Sequence, residues 1–267
     1  MLSLRTILMG LALLPLAAMA GGEDDFGTWI ELGAQKSINR QWHVGLEGEL
    51  RTEDNSSRVD RLSVGVNTSY RVHKYLKVGV TYNFLAGYSP EKRKEKYNGT
   101  TWKGYNLTEN YWVPKHRVSL EASSSVKLWK WLRIGIRERY QLTREMEVNY
   151  EKEKYRYNKV GTDYVLQAGY PQTDIDTREA CTEQYLRSRL KLSVDKKHFD
   201  WRPFVSLEFH NSIDRSMHLH KLRTAVGTEY KINHHHAVSA AYVLTNHLAD
   251  TPNKRMHALN VGYNFDF

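Results

Sequence analysis

Sustained two-residue alternation constrains this chain more than any other feature. In the last eleven residues, Leu259, Val261, Tyr263, Phe265 and Phe267 share one face of an extended strand, and Ala258, Asn260, Gly262, Asn264 and Asp266 share the other. Successive strand side chains point to opposite faces, so one face is apolar and the other small or polar. The closing strand of an outer-membrane β-barrel has this form, with apolar residues toward lipid and polar ones toward the lumen. An amphipathic strand packed on a soluble core has it too, so one strand alone does not separate the two.

Repetition separates them. Trp42, Val44, Leu46 and Leu50 alternate with His43, Glu47, Glu49 and Arg51, and Leu62, Val64, Val66, Tyr70 and Val72 with Arg61, Ser63, Asn67 and Arg71. Comparable segments begin near Thr28, Leu76, Arg117, Leu132, Tyr185, Val205, Leu222 and Ala237. Many exceed the ~5–6 residues of a globular strand and match the ~9–11 that a tilted strand needs to cross a bilayer. Polar connections alternate between short (Ser37–Gln41, His73–Tyr75, Leu128–Trp131, Lys196–Trp201, Asn233–His236) and longer (Thr52–Asp60, Gly87–Lys115, Arg144–Thr182, Asn211–His220, Asn246–Met256). Short periplasmic turns and longer outer loops are the barrel arrangement. Trp42, Tyr70, Tyr75, Trp129, Trp131, Phe199, Trp201 and Tyr230 gather at the short-turn end, where amphipathic rings suit a membrane interface. The expected fold is therefore an all-β, up-and-down antiparallel transmembrane barrel of about 10–12 strands.

Two features strain that pattern. The segments number eleven, whereas bacterial single-chain barrels have an even number. Either a strand is split or missed, or the N-terminal segment threads the lumen or packs as a partial strand. Glu138 also falls on the outward face between Ile136 and Tyr140, and a β-bulge turning it inward is the expectation.

The N-terminus reads as a signal peptide over 1–20. Arg5 supplies the positive charge, Thr6 to Ala17 the apolar run, and Ala18-Met19-Ala20 a small-x-small cleavage site before Gly21. A single barrel domain over 21–267 is expected to follow, in the outer membrane of a Gram-negative bacterium. A mean hydropathy of −0.63 does not oppose this, because barrel strands carry a weak hydropathy signal. The formal charge of +9 falls to +8 without the leader, and exported chains rarely meet nucleic acid. Outer-membrane lipid and lipopolysaccharide phosphates are better partners for that excess. Oligomeric state is not legible, and the lone Cys181 can form no internal disulfide.

No catalytic constellation stands at recognisable spacing. His116 with Ser119, or His210 with Ser212, are the pairs an outer-membrane lipid-modifying hydrolase would need, and nothing local links them. His234-His235-His236 and His218-x-His220 invite a metal reading, but adjacent strand residues face opposite ways, so no metal and no cofactor is expected. The charge-dense runs Glu91–Lys96 and Glu151–Arg156 read as solvated loops.

Function, where legible, lies on the inward list. Glu47, Glu49, Glu121, Glu208 and Glu229 stand against Arg51, Arg61, Arg71, Lys77, Arg117, Arg133, Arg137, Arg139, Arg187, Arg189, Lys191, Arg223 and Lys231. These charges either fill the lumen as ion pairs or line a narrow porin-like path that prefers anions. A secreted soluble lipocalin-like binding barrel is the remaining alternative.

The segments Val59-Asp60-Arg61-Leu62, Tyr185 to Lys191, Ser206 to Ser212, Gly227 to Lys231 and the C-terminal strand resemble an uncharacterised outer-membrane family, the domain of unknown function 2490. The likeness spans nearly the whole mature chain, except the stretch Arg144–Thr182. It implies an outer-membrane barrel and brings no activity or catalytic residues. Resemblance to barrels in general implies that Tyr263, Phe265 and Phe267 form the signal read by the barrel-assembly machinery.

Overall fold

The computed structural model describes residues 24–196, 199–248 and 255–267. The expected signal peptide lies outside them. The described chain forms sixteen strands: β1 (Asp24–Ser37), β2 (Trp42–Glu53), β3 (Arg58–His73), β4 (Leu76–Ser89), β5 (Lys92–Asn98), β6 (Thr101–Thr108), β7 (Tyr111–Lys127), β8 (Leu132–Glu145), β9 (Val148–Val160), β10 (Asp163–Leu166), β11 (Gln172–Arg178), β12 (Cys181–Val194), β13 (Trp201–Ser212), β14 (His218–Lys231), β15 (His236–His247) and β16 (Arg255–Asp266).

They belong to two compact units. Of the described residues, one unit comprises those up to Leu85, His116–Thr143 and those from Glu183 onward, and the other Ala86–Lys115 and Arg144–Thr182. The first is a closed barrel of eleven strands in the order β1-β16-β15-β14-β13-β12-β8-β7-β4-β3-β2.

The odd number is real, and the seam explains it. An up-and-down path of eleven strands leaves the first and last running the same way, so closure requires one parallel pair. β1 pairs parallel with β16 from Asp24↔Arg255 to Gln35↔Asp266, and antiparallel with β2 from Trp29↔Arg51 to Ser37↔His43. Among the described residues no barrel strand was split or missed, and the N-terminal segment neither threads the lumen nor packs partially. It is a full strand of 14 residues.

Alternation sets the two faces. Leu46 (60% exposed), Val64 (61%), Leu32 (57%) and Ile136 (54%) stand on the outside, while Trp29, Val243 and Ala258 are buried inside. The ring-bearing turn ends pair up: Trp42 with Tyr70, Trp129 with Trp131, and Trp201 with Tyr230, with centroids 5.7, 5.9 and 4.8 Å apart. The expected longer link Thr52–Asp60 contracts to four residues, 54–57. Asp54, Asn55 and Ser56 take positive φ there, a conformation Asp and Asn tolerate, and the Asp25 carboxylate accepts the Asp54 and Asn55 amides at 3.1 Å.

The second unit corrects the loop expectation for both charge-dense runs. β5 and β9 carry them, in a sheet ordered β10-β9-β6-β5 with β11 also on β9. One face carries an aromatic ladder: Tyr105 stacks on Tyr155 at 4.5 Å, Arg93 covers Tyr105 at 3.7 Å, and Trp102 meets Tyr157 at 5.0 Å. The other carries Lys152 and Lys154, paired with Asp176 and Asp174. Glu145, 5% exposed, accepts from both Lys115 and Arg178. Burial works to raise its pKa, and these two cations overcome it and hold the carboxyl below its ordinary value.

Candidate functional site: the charged lumen

Residues of all eleven barrel strands line a cavity of 460 Å³. Eight cations line it (Arg51, Arg117, Arg137, Arg139, Arg187, Arg189, Lys191, Arg223) against five carboxylates (Glu31, Glu47, Glu49, Glu208, Glu229), a surplus of three positive charges. A second cavity of 650 Å³ runs among the ends of β3, β4, β7, β8 and β12 that meet the short turns. Arg137, Arg189, Lys191 and Glu229 line both, so they form a belt between two chambers.

Two carboxylates organise most of the cations. Glu49 takes Arg51 at 2.6 Å and Arg61 at 2.8 Å. Glu208, with a side chain only 5% exposed, takes Arg187 at 2.5 Å, Arg137 at 2.7 Å and His210 at 2.7 Å, with Arg223 at 4.0 Å. A single carboxylate among so many donors satisfies both oxygens with charge-assisted bonds, the condition for burying an ion without prohibitive cost. Glu121 adds Arg139 at 2.7 Å and Arg137 at 3.5 Å, and Glu229 meets Arg202 at 3.6 Å.

Other carboxylates are bound by amides. Glu47 accepts from Asn83 at 2.5 Å and Asn67 at 3.4 Å, and Glu31 from Asn260 at 2.7 Å. Gly65, opposite Glu47 in register, makes room for this: a Cβ there would sit 2.2 Å from Asn83 Nδ2. Among the described residues these two carboxylates pair with no guanidinium, and all the lining cations but Arg51 stand on β7, β8, β12 and β14.

Arg189 makes no hydrogen bond or ion pair among the described residues, and the Lys191 ammonium sits 4.1 Å over the Phe204 ring. Arg51 and Arg223 flank the Trp29 ring at 3.8 and 4.9 Å. Glu47, Glu49, Arg137, Arg139, Arg187, Arg189, Glu208, Arg223 and Glu229 of the inward list line the first cavity, Arg61 reaches it through Glu49, and Lys231 is exposed at the end of β14. Asn67, Asn83, Gln141 and Asn260 line it too, each on the polar face of its strand, whereas Trp29, which shares the parity of Glu31, was missed.

On the outside, Glu138 is a correction. It remains outward and exposed, and the Ser188 hydroxyl donates to it at 2.6 Å, so a neighbouring strand satisfies it where a bulge was expected. His116 is also outward, bonded to Tyr82 at 2.7 Å, while Ser119 is buried on the other parity. His210 and Ser212 share a buried face, and the His210 ring faces Glu208. In the turn 232–235, Asn233 Oδ1 accepts the His235 and His236 amides at 2.8 Å, and the two rings diverge to Asp266 O and Tyr263 OH, each at 2.6 Å. Phe267 is 68% exposed, edge-on to Phe265 at 4.6 Å, and its amide donates to Gln35 O at 2.8 Å across the parallel seam.

A closed barrel with an apolar exterior and a charged interior is the class these features define. A family model described as "Protein of unknown function (DUF2490)" matches residues 26–257, and the chain belongs to that family. Comparison with curated proteins finds no match. Among solved structures, the chain is similar to the β domain of the Bordetella autotransporter BrkA, at 12% identity and a TM-score of 0.46, covering 83% of this chain and 79% of that one.

Proposed function

We propose that this protein is an outer-membrane barrel whose lumen forms a narrow aqueous path that prefers anions. The exterior carries the reading: large apolar side chains stand exposed strand after strand, on the face a soluble barrel would cover with polar groups. Such an area in water is an aggregation liability and in lipid is the ordinary outward face. A lipocalin-like barrel would put these residues inside, where this chain has Glu and Arg. The paired rings at the short turns suit the periplasmic interface, with the strand ends toward Phe267 on that side.

The lumen supports the second half of the reading. Two cavities meeting at Arg137, Arg189, Lys191 and Glu229 describe wetted space with three cations to one carboxylate at the junction. Rings of Arg and Lys set anion preference in pores. The test of location is fractionation. Full-length chain should be recovered from outer membranes only with detergent, and should migrate differently on gels before and after heating. Folded protein in the detergent-free periplasm would overturn the proposal.

A further inference from the structure

The cationic wall contains one guanidinium whose arrangement differs from its neighbours. Arg117 on β7 spends only its Nε, donating to Thr143 Oγ1 at 3.1 Å, and it has no carboxylate partner among the described residues. Arg117 lines the 460 Å³ cavity, and its guanidinium makes no other hydrogen bond among the described residues. Thr143 is held from the far side by Gln141, which in turn accepts from Arg187 at 2.9 Å. The fork is therefore fixed at its base and open at its tip.

Its surroundings favour an anion. Arg187 and Arg223 share Glu208 with Arg137, Arg51 shares Glu49 with Arg61, and Arg189 makes no hydrogen bond or ion pair among the described residues. Coulomb repulsion among cations held this close in a partly desolvated lumen is costly, and a multivalent anion relieves it in proportion to its charge. A planar fork with two parallel donors matches the oxygens of phosphate better than it matches a spherical halide. We propose that Arg117, with Arg187, Arg189 and Arg223 lining the same cavity, forms a lumenal binding site for a phosphate-class oxyanion. The site deepens the reading of an anion-preferring path, turning a diffuse bias into a discrete stop along it.

Purified full-length protein in detergent micelles is titrated with inorganic phosphate, pyrophosphate and glycerol 3-phosphate at ionic strength matched with chloride, by calorimetry. Saturable binding is expected, tighter for pyrophosphate than for phosphate. Arg117→Gln should weaken it about tenfold, while Arg93→Gln in the second unit leaves it unchanged. Tighter binding of glycerol 3-phosphate than of phosphate assigns the site to organic phosphates, and the reverse order assigns it to the free ion. Absence of saturable binding, or undiminished binding in Arg117→Gln, overturns the proposal. If Arg117→Gln fails to show the heat-dependent gel shift of a folded barrel, Arg117→Lys carries the test. It keeps the charge and loses the fork, and unchanged phosphate affinity in it counts equally against the site. Conductance separates the two levels: conductance without phosphate binding removes the site and keeps the path, and phosphate binding without conductance does the reverse.

Discussion

Glu208 is the residue on which most of the lumen depends. Its buried carboxylate holds Arg137 and Arg187, with the His210 ring beside it and Arg223 at the limit of contact. Removing one partner of a buried ion network leaves the others uncompensated, at about 3–5 kcal/mol. Glu208→Gln should therefore lower the temperature at which the folded gel band converts to the unfolded one, and an unchanged midpoint would show that water already screens these arginines. Glu138 gives the opposite sign. It faces outward among Ile136 and Tyr140 with one hydroxyl partner, so Glu138→Leu should stabilise the barrel in bilayers by about 1 kcal/mol in urea titrations. Loss of stability would mean that this face is covered by something other than lipid. Residue-level legibility was high where parity ruled: each inward charge follows from its neighbour two positions away. Glu138 was misread because parity reports the face correctly and says nothing of a partner on another strand.

At the level of elements, the sequence shows barrel strands well and the second unit poorly, for a physical reason. Barrel strands have one apolar face, which period-2 reading detects. β9 alternates Lys152, Lys154 and Arg156 with Glu153, Tyr155 and Tyr157, so both faces are polar or amphipathic and the period carries no hydrophobic contrast. Its faces are defined only by partners distant in sequence, Tyr105 and Asp174 among them. The parallel seam was equally illegible, since alternation fixes a face and not a neighbour. It makes a direct prediction. In a Cys181→Ser background, Ile30→Cys with Val261→Cys, which are register partners across β1 and β16, should form a disulfide within the monomer. A chain closed by β2 on β16 would leave both thiols free. The second unit predicts a pH effect. Glu145 has a depressed pKa, so its pairing stabilises the unit above the ordinary carboxylate value of 4.5 and is lost as pH falls through the lower folded value. Glu145→Gln should hasten proteolysis within 144–182 at pH 7, and the difference from wild type should close in strong acid. A difference that persists there would exclude the ion pair as its cause.

For the whole molecule, eleven strands make an interior wider than the about eight that side chains just fill. The extra space is occupied here by long charged side chains and the two cavities they leave, with more positive charge than pairing neutralises. Assembly belongs to this scale as well. Phe267 directly follows β16, the strand that both closes the seam and carries the alternating apolar face, so under the proposed outer-membrane location deleting it should lower the yield of assembled barrel while export continues. Equal yield would separate the seam from the assembly signal.

The central claim is that the surplus of lumenal cations faces an aqueous path, and planar-bilayer recording under a salt gradient tests it most directly. The expected result is a small conductance with a reversal potential of anion-selective sign, shifted toward zero by Arg137→Ser together with Arg189→Ser. Cation selectivity, or no conductance from correctly folded protein, would contradict it.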